Sequence, residues 1–321
     1  MQLLRDRRSR RLMAMIVVGL LAGMTGGTVA AFSSTASNGS NSFGVKADYE
    51  APTVVRSEIA RTTATVGGRI KTNVAYYVYA QITDGGNPAS GVSSATANVC
   101  NITTATCASV ALTSGSYTVS GLSYNYRSAS KTSDVVLTPG SKTYTVTTAD
   151  VAGNSSGAVS FSVVVDGTAP SGSNVQTANT SGVTAGKPEA GDTVTFTFGE
   201  AMDPASIKAA WDGSSSNVTV AFANAGCAGN DTMTVTAVNL GSLCLAGNYV
   251  NGNRSFTASP MVLSGGGTIV TITLGTASGA LNTETTSGTM AWTPSASALD
   301  VAGNACSVVP VAESGAADVE F

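Results

Sequence analysis

Short runs of residues that favour β-strands recur along most of this chain, separated by clusters of Gly, Asn, Asp and Ser. In several runs apolar and polar residues alternate. Residues 142–148 are one example, with Tyr144 and Val146 on one face. Such alternation is typical of a strand that packs one face against a core. The pattern predicts an all-β protein with many turns.

The composition supports this prediction. Only 11% of the 321 residues are charged, and the residues that favour long helices give way to Thr and Val. The length leaves room for two domains and a short remainder. The predicted strand-like runs are 54–59, 76–82, 95–99, 117–122, 142–148 and 159–165 in the first half, and 217–223, 232–238, 268–274 and 307–311 in the second.

A pentapeptide occurs twice: DVAGN stands at residues 150–154 and again at 300–304. The first copy lies between two predicted strands. Gly153 can adopt the positive φ of a tight turn, and the side chains of Asp150 and Asn154 can bond to nearby backbone groups. We therefore predict that each copy is a corner that ends one β-sandwich.

The N-terminus indicates export. Five arginines precede an uncharged apolar run at residues 12–32, which ends in small side chains. This is the layout of a secretory signal peptide. The run also has about the ~20 residues that cross a bilayer, so an uncleaved membrane anchor remains open. In either case residues 33–321 are expected to be extracellular or on the cell surface, with membrane contact only through the N-terminal segment.

The charge balance excludes nucleic acid as a partner. Residues 1–32 hold five of the 16 basic residues and one of the 19 acidic ones, so the remainder carries a net charge of −7. It contains no basic cluster interleaved with aromatic residues, which a phosphate backbone would require.

Five cysteines lie in the exported part, where an oxidising environment favours disulfides between near neighbours. We expect Cys100 to pair with Cys107 and Cys227 with Cys244, although Cys306 could compete for either partner in the second pair. A free Cys306 could be buried and inert or could link two chains. Metal binding by these thiols is disfavoured, because the chain has no histidine and no C-x-x-C pair.

The first half resembles bacterial immunoglobulin-like domains of cell-surface proteins. The likeness rests on DVAGN before a final strand and on the segment from Thr83-Asp84 to Ser90-Gly91-Val92. It covers most of residues 51–168 and implies an immunoglobulin-like sandwich. Such domains serve as spacers, adhesins and ligand binders, so the resemblance implies no single activity.

The second half resembles a different group. GDTVTFTFGEAMDP at residues 191–204 is similar to the signature of the immunoglobulin-like domain of S-layer proteins. Val194, Phe196 and Phe198 should face one core. Asp203 and Pro204 should cap a short helix near 204–210, with Trp211 closing over that core.

The segment from Phe32 to Phe43 resembles precursors of exported fibres that are cut by signal peptidase W. These observations divide the chain into a signal or anchor at 1–32, a Ser/Asn-rich linker at 33–50, a first sandwich at 51–168 and a second at 169–321.

Catalysis is not expected, since histidine is absent and Ser141-Lys142 and Ser206-Ile207-Lys208 have ordinary surface contexts. Glu200 and Asp203 fit a strand end and a helix cap better than a glycosidase pair. No cofactor is predicted. Calcium is the open alternative, with oxygen donors grouped at the end between the domains: Asp84, Asp150, Asp166 and Asp300.

The leading functional hypothesis is an exported, non-enzymatic surface protein with a structural, adhesive or envelope-associated role. Its partners would be a cell-envelope polymer or other surface proteins. One alternative is a carbohydrate or surface-polymer binding module, in which Trp292 could be a stacking platform if it is not a buried anchor. The other is a self-associating subunit of an extracellular fibre, since edge strands can pair between chains.

Overall fold

The computed structural model describes residues 48–180 and 183–321, and these are almost entirely β. They form two bodies, each sandwich-like or barrel-like and each built on one sheet. The predicted signal or anchor segment lies outside the described residues, as does the linker up to residue 47. Across the described ranges, no helix has both the length and the apolar character that a bilayer crossing would need.

The first body is a nine-stranded sheet. Its strands are β1 (Thr53–Arg61), β2 (Arg69–Ile70), β3 (Ala75–Thr83), β4 (Val92–Asn98), β5 (Val110–Val119), β6 (Leu122–Ser128), β7 (Lys131–Thr132), β8 (Gly140–Asp150) and β9 (Val159–Val165). The order is β1-β3-β6-β5-β4-β8-β9-β2, with β7 paired to β3. Strand β5 pairs with β4 at its start and with β6 along the rest, so it joins two layers. All pairs are antiparallel except β2 with β9.

The second body is a ten-stranded antiparallel sheet. Its strands are β10 (Gly172–Ala178), β11 (Thr193–Phe198), β12 (Ser216–Cys227), β13 (Asn230–Val235), β14 (Ser242–Cys244), β15 (Arg254–Ser264), β16 (Ile269–Thr273), β17 (Thr276–Ala277), β18 (Ala291–Thr293) and β19 (Val311–Ala312). The order is β10-β11-β16-β15-β12-β13-β14-β18-β19, with β17 paired to β15. The two ends of this order meet, because Ser314 N donates to Asn174 Oδ1 at 2.8 Å and Gln176 Nε2 donates to Ser314 O at 3.0 Å.

Each body has its own core. The predicted inward face of β11 is confirmed, since Val194, Phe196 and Phe198 are all buried. Trp292 fills the centre of the second core. Its ring centroid lies 5.1 Å from that of Phe196 and 5.0 Å from that of Phe198, both in edge-to-face geometry.

The stacking role considered for Trp292 is therefore wrong. Its side chain is 0% exposed, and its indole Nε1 donates to Leu240 O. The sequence around it reads as a loop because β18 is only three residues long, too short to show alternation.

Both predicted disulfides are present. Cys100 and Cys107 close a small loop with a Cα–Cα distance of 4.8 Å, and Cys227 and Cys244 join β12 to β14 at 5.8 Å. Cys306 is free and buried, so the structure favours the inert thiol over a link between chains.

Four local predictions need correction. The run at 232–238 is a strand only to Val235, because Ala237 has a positive φ in the turn that follows. The run at 117–122 crosses a turn, because Ser120 and Gly121 both have positive φ and separate β5 from β6. The run at 307–311 pairs as a strand only from Val311, since Ser307 N donates instead to Pro170 O. The short helix, α1 (Pro204–Ile207), ends earlier than predicted because Lys208 is extended. Its predicted Asp203 cap and the buried Trp211 are confirmed.

Replacing Trp292 with Ala should lower the free energy of unfolding of the second body by about 3–5 kcal/mol, because it empties the centre of a close-packed core. Urea denaturation followed by the fluorescence of Trp211 would measure the loss. Val309→Ala, at a side chain of the second body that is 66% exposed, should change stability by less than about 0.5 kcal/mol. Wild-type stability in Trp292→Ala would place the indole at the surface.

Candidate functional site

The two DVAGN turns have the same hydrogen bonds. In the first, Asn154 donates its backbone N–H to Asp150 Oδ1 and its side-chain amide to Asp150 Oδ2, both at 2.7 Å. In the second, Asn304 donates to Asp300 Oδ1 at 2.7 Å and to Oδ2 at 2.8 Å. Gly153 and Gly303 have φ of 87° and 97°, which an L side chain rarely adopts. The repeat thus encodes one turn used twice.

Each turn also holds the segment that leads into its own body. Asn154 Nδ2 donates to Asp48 O at 3.1 Å, and Asn304 Nδ2 donates to Asp166 O at 3.2 Å. Both of these aspartates stand four residues before a proline, in DYEAP and DGTAP respectively. The repeated unit is therefore a pair of short motifs, one before the first strand of a body and one near its end.

Carboxylates gather at both turns. Three ligand oxygens lie within 4.8 Å of one another in the first cluster (Asp48, Asp84 and Asp150) and likewise in the second cluster (Asp166, Glu200 and Asp300). The three members of the first cluster occupy the same positions in their body as the three members of the second cluster do in theirs. In each cluster one precedes the first strand, one follows the strand that is paired with it, and one opens the DVAGN turn.

The predicted grouping of Asp84, Asp150, Asp166 and Asp300 at one end between the domains is wrong. Asp84 and Asp150 lie near the start of β1, whereas Asp166 and Asp300 lie near its far end, where Arg61 bonds to Asp300 O. A nine-residue strand separates these ends by roughly 26 Å. The reason is that each DVAGN turn stays with its own body.

Most of the oxygens in the first cluster already have protein partners. The backbone N–H groups of Glu50 and Ser90 donate to Asp48 and hold the pKa of its carboxyl below the usual range. Gly91 N donates to Asp84 Oδ2, while the buried Oδ1 of Asp84 has no partner.

In the second cluster burial raises the pKa of Glu200, and the charges of Asp300 and Asp166 add to the effect. Both clusters present the hard oxygen donors that calcium prefers.

A buried arginine joins the two bodies. Arg61, the last residue of β1, is 4% exposed and pairs with Asp203, which is 2% exposed. Its Nε also donates to Val301 O at 3.0 Å, inside the second DVAGN turn. A Cβ at Gly303 would lie 2.8 Å from Arg61 Cδ, so the turn glycine also makes room for this side chain.

The contact between the two bodies makes the two DVAGN turns differ in their exposure to solvent. Val301 in the second turn is 5% exposed, whereas the matching Val151 in the first turn is 70% exposed. Burial raises the pKa of Asp203, and the Arg61 guanidinium opposes that effect. The second turn is thus part of a buried ionic contact, while the first faces solvent.

The side chains considered for catalysis have other partners in the structure. Asp203 Oδ1 accepts from Ala205 N as a helix cap, while Glu200 belongs to the carboxylate cluster. Ser206 Oγ donates to Asp203 O, and Lys208 Nζ donates to Ser216 Oγ. Burial raises the pKa of the Cys306 thiol to about 11, and the charge of Glu200 adds to this, so the thiol stays protonated at neutral pH.

The face of the first sheet opposite its main core carries a partly buried cluster that we name the tyrosine–arginine face. Its members are Arg56, Tyr77, Tyr79, Tyr117, Tyr124 and Arg127. The Arg127 guanidinium lies 4.2 Å from the ring centroid of Tyr77 and 4.4 Å from that of Tyr117. The Tyr124 hydroxyl donates to Glu58 at 2.8 Å. Burial and this carboxylate raise the pKa of Tyr124.

Sequence reasoning missed this face although the signal was present. In AYYVYA, Tyr76 and Val78 face the main core, so Tyr77 and Tyr79 must lie on the opposite face of the strand. The register brings Arg127 opposite Tyr79 and Tyr124 opposite Tyr117. The strand pairing that creates the cluster cannot be read from one strand alone.

Comparison with known proteins adds no family. A scan against protein-family models finds no match, and a search of curated proteins finds none.

Replacing Arg61 with Ala should lower the stability of the second body by about 3–5 kcal/mol, because it leaves Asp203 buried without its cation. Denaturant unfolding followed by tryptophan fluorescence is selective, since both tryptophans lie in the second body. Arg69→Ala is the matched control. It breaks the 2.8 Å pair with Asp166, but the Arg69 side chain is 49% exposed, so the loss should stay below about 1 kcal/mol. Equal losses in the two variants would contradict a buried ionic junction.

Proposed function

We propose that this chain is an exported, non-enzymatic cell-surface protein in which two tandem immunoglobulin-like sandwiches act as a rigid spacer or adhesive module. The buried contact of Arg61 with Asp203 and with the second DVAGN turn carries the proposal. Both members of this ion pair are buried, and separating them would leave an uncompensated charge in the interior, so the contact resists separation of the two bodies. A spacer requires such a fixed joint.

Other observations agree with this role. Two disulfides fit an oxidising compartment outside the cytoplasm. The DVAGN turns and the S-layer-like signature support the immunoglobulin-like assignment of both bodies, and the apolar run at 12–32 supports export.

Surface exposure can be tested by an epitope tag inserted after Val136, which is 85% exposed in the connection between β7 and β8. A membrane-impermeant antibody should label intact cells that make the tagged chain. A cytoplasmic protein with the same tag, detected only after lysis, is the control. Labelling of this chain only after lysis would refute export.

Recognition of a surface polymer is the second candidate function. The tyrosine–arginine face favours it, because Tyr and Arg are enriched where proteins bind partners strongly, and rings with guanidinium groups can stack on sugars and pair with acidic groups. Four members, Arg56, Tyr77, Tyr117 and Arg127, are partly exposed. This face replaces Trp292 as the structural basis of that alternative.

We expect the protein to bind one or more members of an array of neutral and acidic polysaccharides. Tyr117→Ala should weaken that binding at least tenfold, because it removes a ring and one side of the Arg127 stack. Tyr49→Ala removes an exposed tyrosine elsewhere and should leave binding unchanged. Equal binding by both variants, or no binding by the wild type, would reject this function.

A further inference from the structure

A third carboxylate cluster lies at the closure of the second body, away from both DVAGN turns. Ligand oxygens of Glu313, Asp318 and Glu320 lie within 4.8 Å of one another. Glu313 directly follows β19, and Glu320 Oε2 accepts from Thr177 Oγ1 on β10. The cluster therefore forms where the first and last strands of the sheet meet.

The backbone fixes the three acids in place. Glu313 Oε1 accepts from Met290 N at 2.8 Å. Asp318 exchanges two backbone hydrogen bonds with Gly288. Between them Gly315 has φ of 113°, which allows residues 313–320 to fold back on themselves. The donors are thus pre-positioned and do not depend on a flexible tail.

One buried oxygen of this cluster accepts no hydrogen bond from a protein donor. Glu320 is 1% exposed, and its Oε1 has no N–H or O–H group within hydrogen-bond reach. The buried Tyr249 lies beside Glu320. A buried polar atom without a partner is unfavourable, so an oxygen that has no donor and faces two other carboxylates points to a cation.

We infer that Glu313, Asp318 and Glu320 bind a calcium ion that pins the end of the second sheet to its beginning. Calcium–oxygen distances of about 2.3–2.6 Å place ligands up to roughly 5 Å apart around one ion, which matches the observed spacing. Glu313 and Glu320 supply inner ligands. The exposed Asp318 supplies a ligand on the solvent side, from which the ion can enter. Neither DVAGN turn contributes.

Isothermal titration of the purified full chain with CaCl₂ at pH 8 tests the site. Wild-type protein should bind calcium, and Glu320→Gln should lose one equivalent. Asp318→Asn changes only an exposed side chain, so it should fold normally and bind this equivalent at least tenfold more weakly. Asp84→Asn, the same kind of change in the first DVAGN cluster, should retain it.

Thermal unfolding gives a second measurement. Calcium should raise the Tm of the second body in the wild type and in Asp84→Asn, and not in Glu320→Gln. Three results would each overturn the inference: no calcium binding by wild type, full wild-type binding by both Glu320→Gln and Asp318→Asn, or loss of the calcium response only in Asp84→Asn. The last result would assign the ion to the first cluster.

Discussion

Within each body, the hydrogen bonds between the Asp and the Asn of its DVAGN turn fix one corner of the sheet. Asp150 and Asp300 are 2% and 1% exposed, and buried carboxylates are costly unless donors surround them. In each case the Asn four residues later supplies a backbone and a side-chain N–H to the two oxygens. Hydrogen bonds to a charged group are stronger than those between neutral groups, so the pair stabilises the turn as well as satisfying the carboxylate.

The same Asn links distant parts of the chain. Its amide also reaches the carbonyl of Asp48 in the first body and of Asp166 in the second, more than 100 residues away in sequence. A segment without strand pairing is thereby fixed at the point where it leads into its sheet. One side chain thus closes the long loop formed by an entire body, which explains why the pentapeptide recurs at the same structural place in two otherwise different sheets.

The fold class could be predicted from local patterns because alternation in residues 142–148 and 191–198 records burial directly. The disulfides followed from spacing and compartment, and the Asp203 cap from its place before Pro204. The role of Trp292 could not be predicted, because a three-residue strand has no readable period. The separation of Asp84 and Asp150 from Asp166 and Asp300 depends on which body each turn contacts, and that is a property of topology.

The cluster of Glu313, Asp318 and Glu320 is another feature that local sequence patterns could not predict. In sequence, ESGAADVE resembles an ordinary polar segment, and nothing in it indicates that its last glutamate is buried. Burial arises because β19 returns to β10 and places Glu320 beside Thr177. Local sequence therefore reports turn chemistry well when the partners are four residues apart, as in DVAGN. It reports little when a carboxyl side chain is buried by contact with a strand that lies 143 residues earlier in the chain.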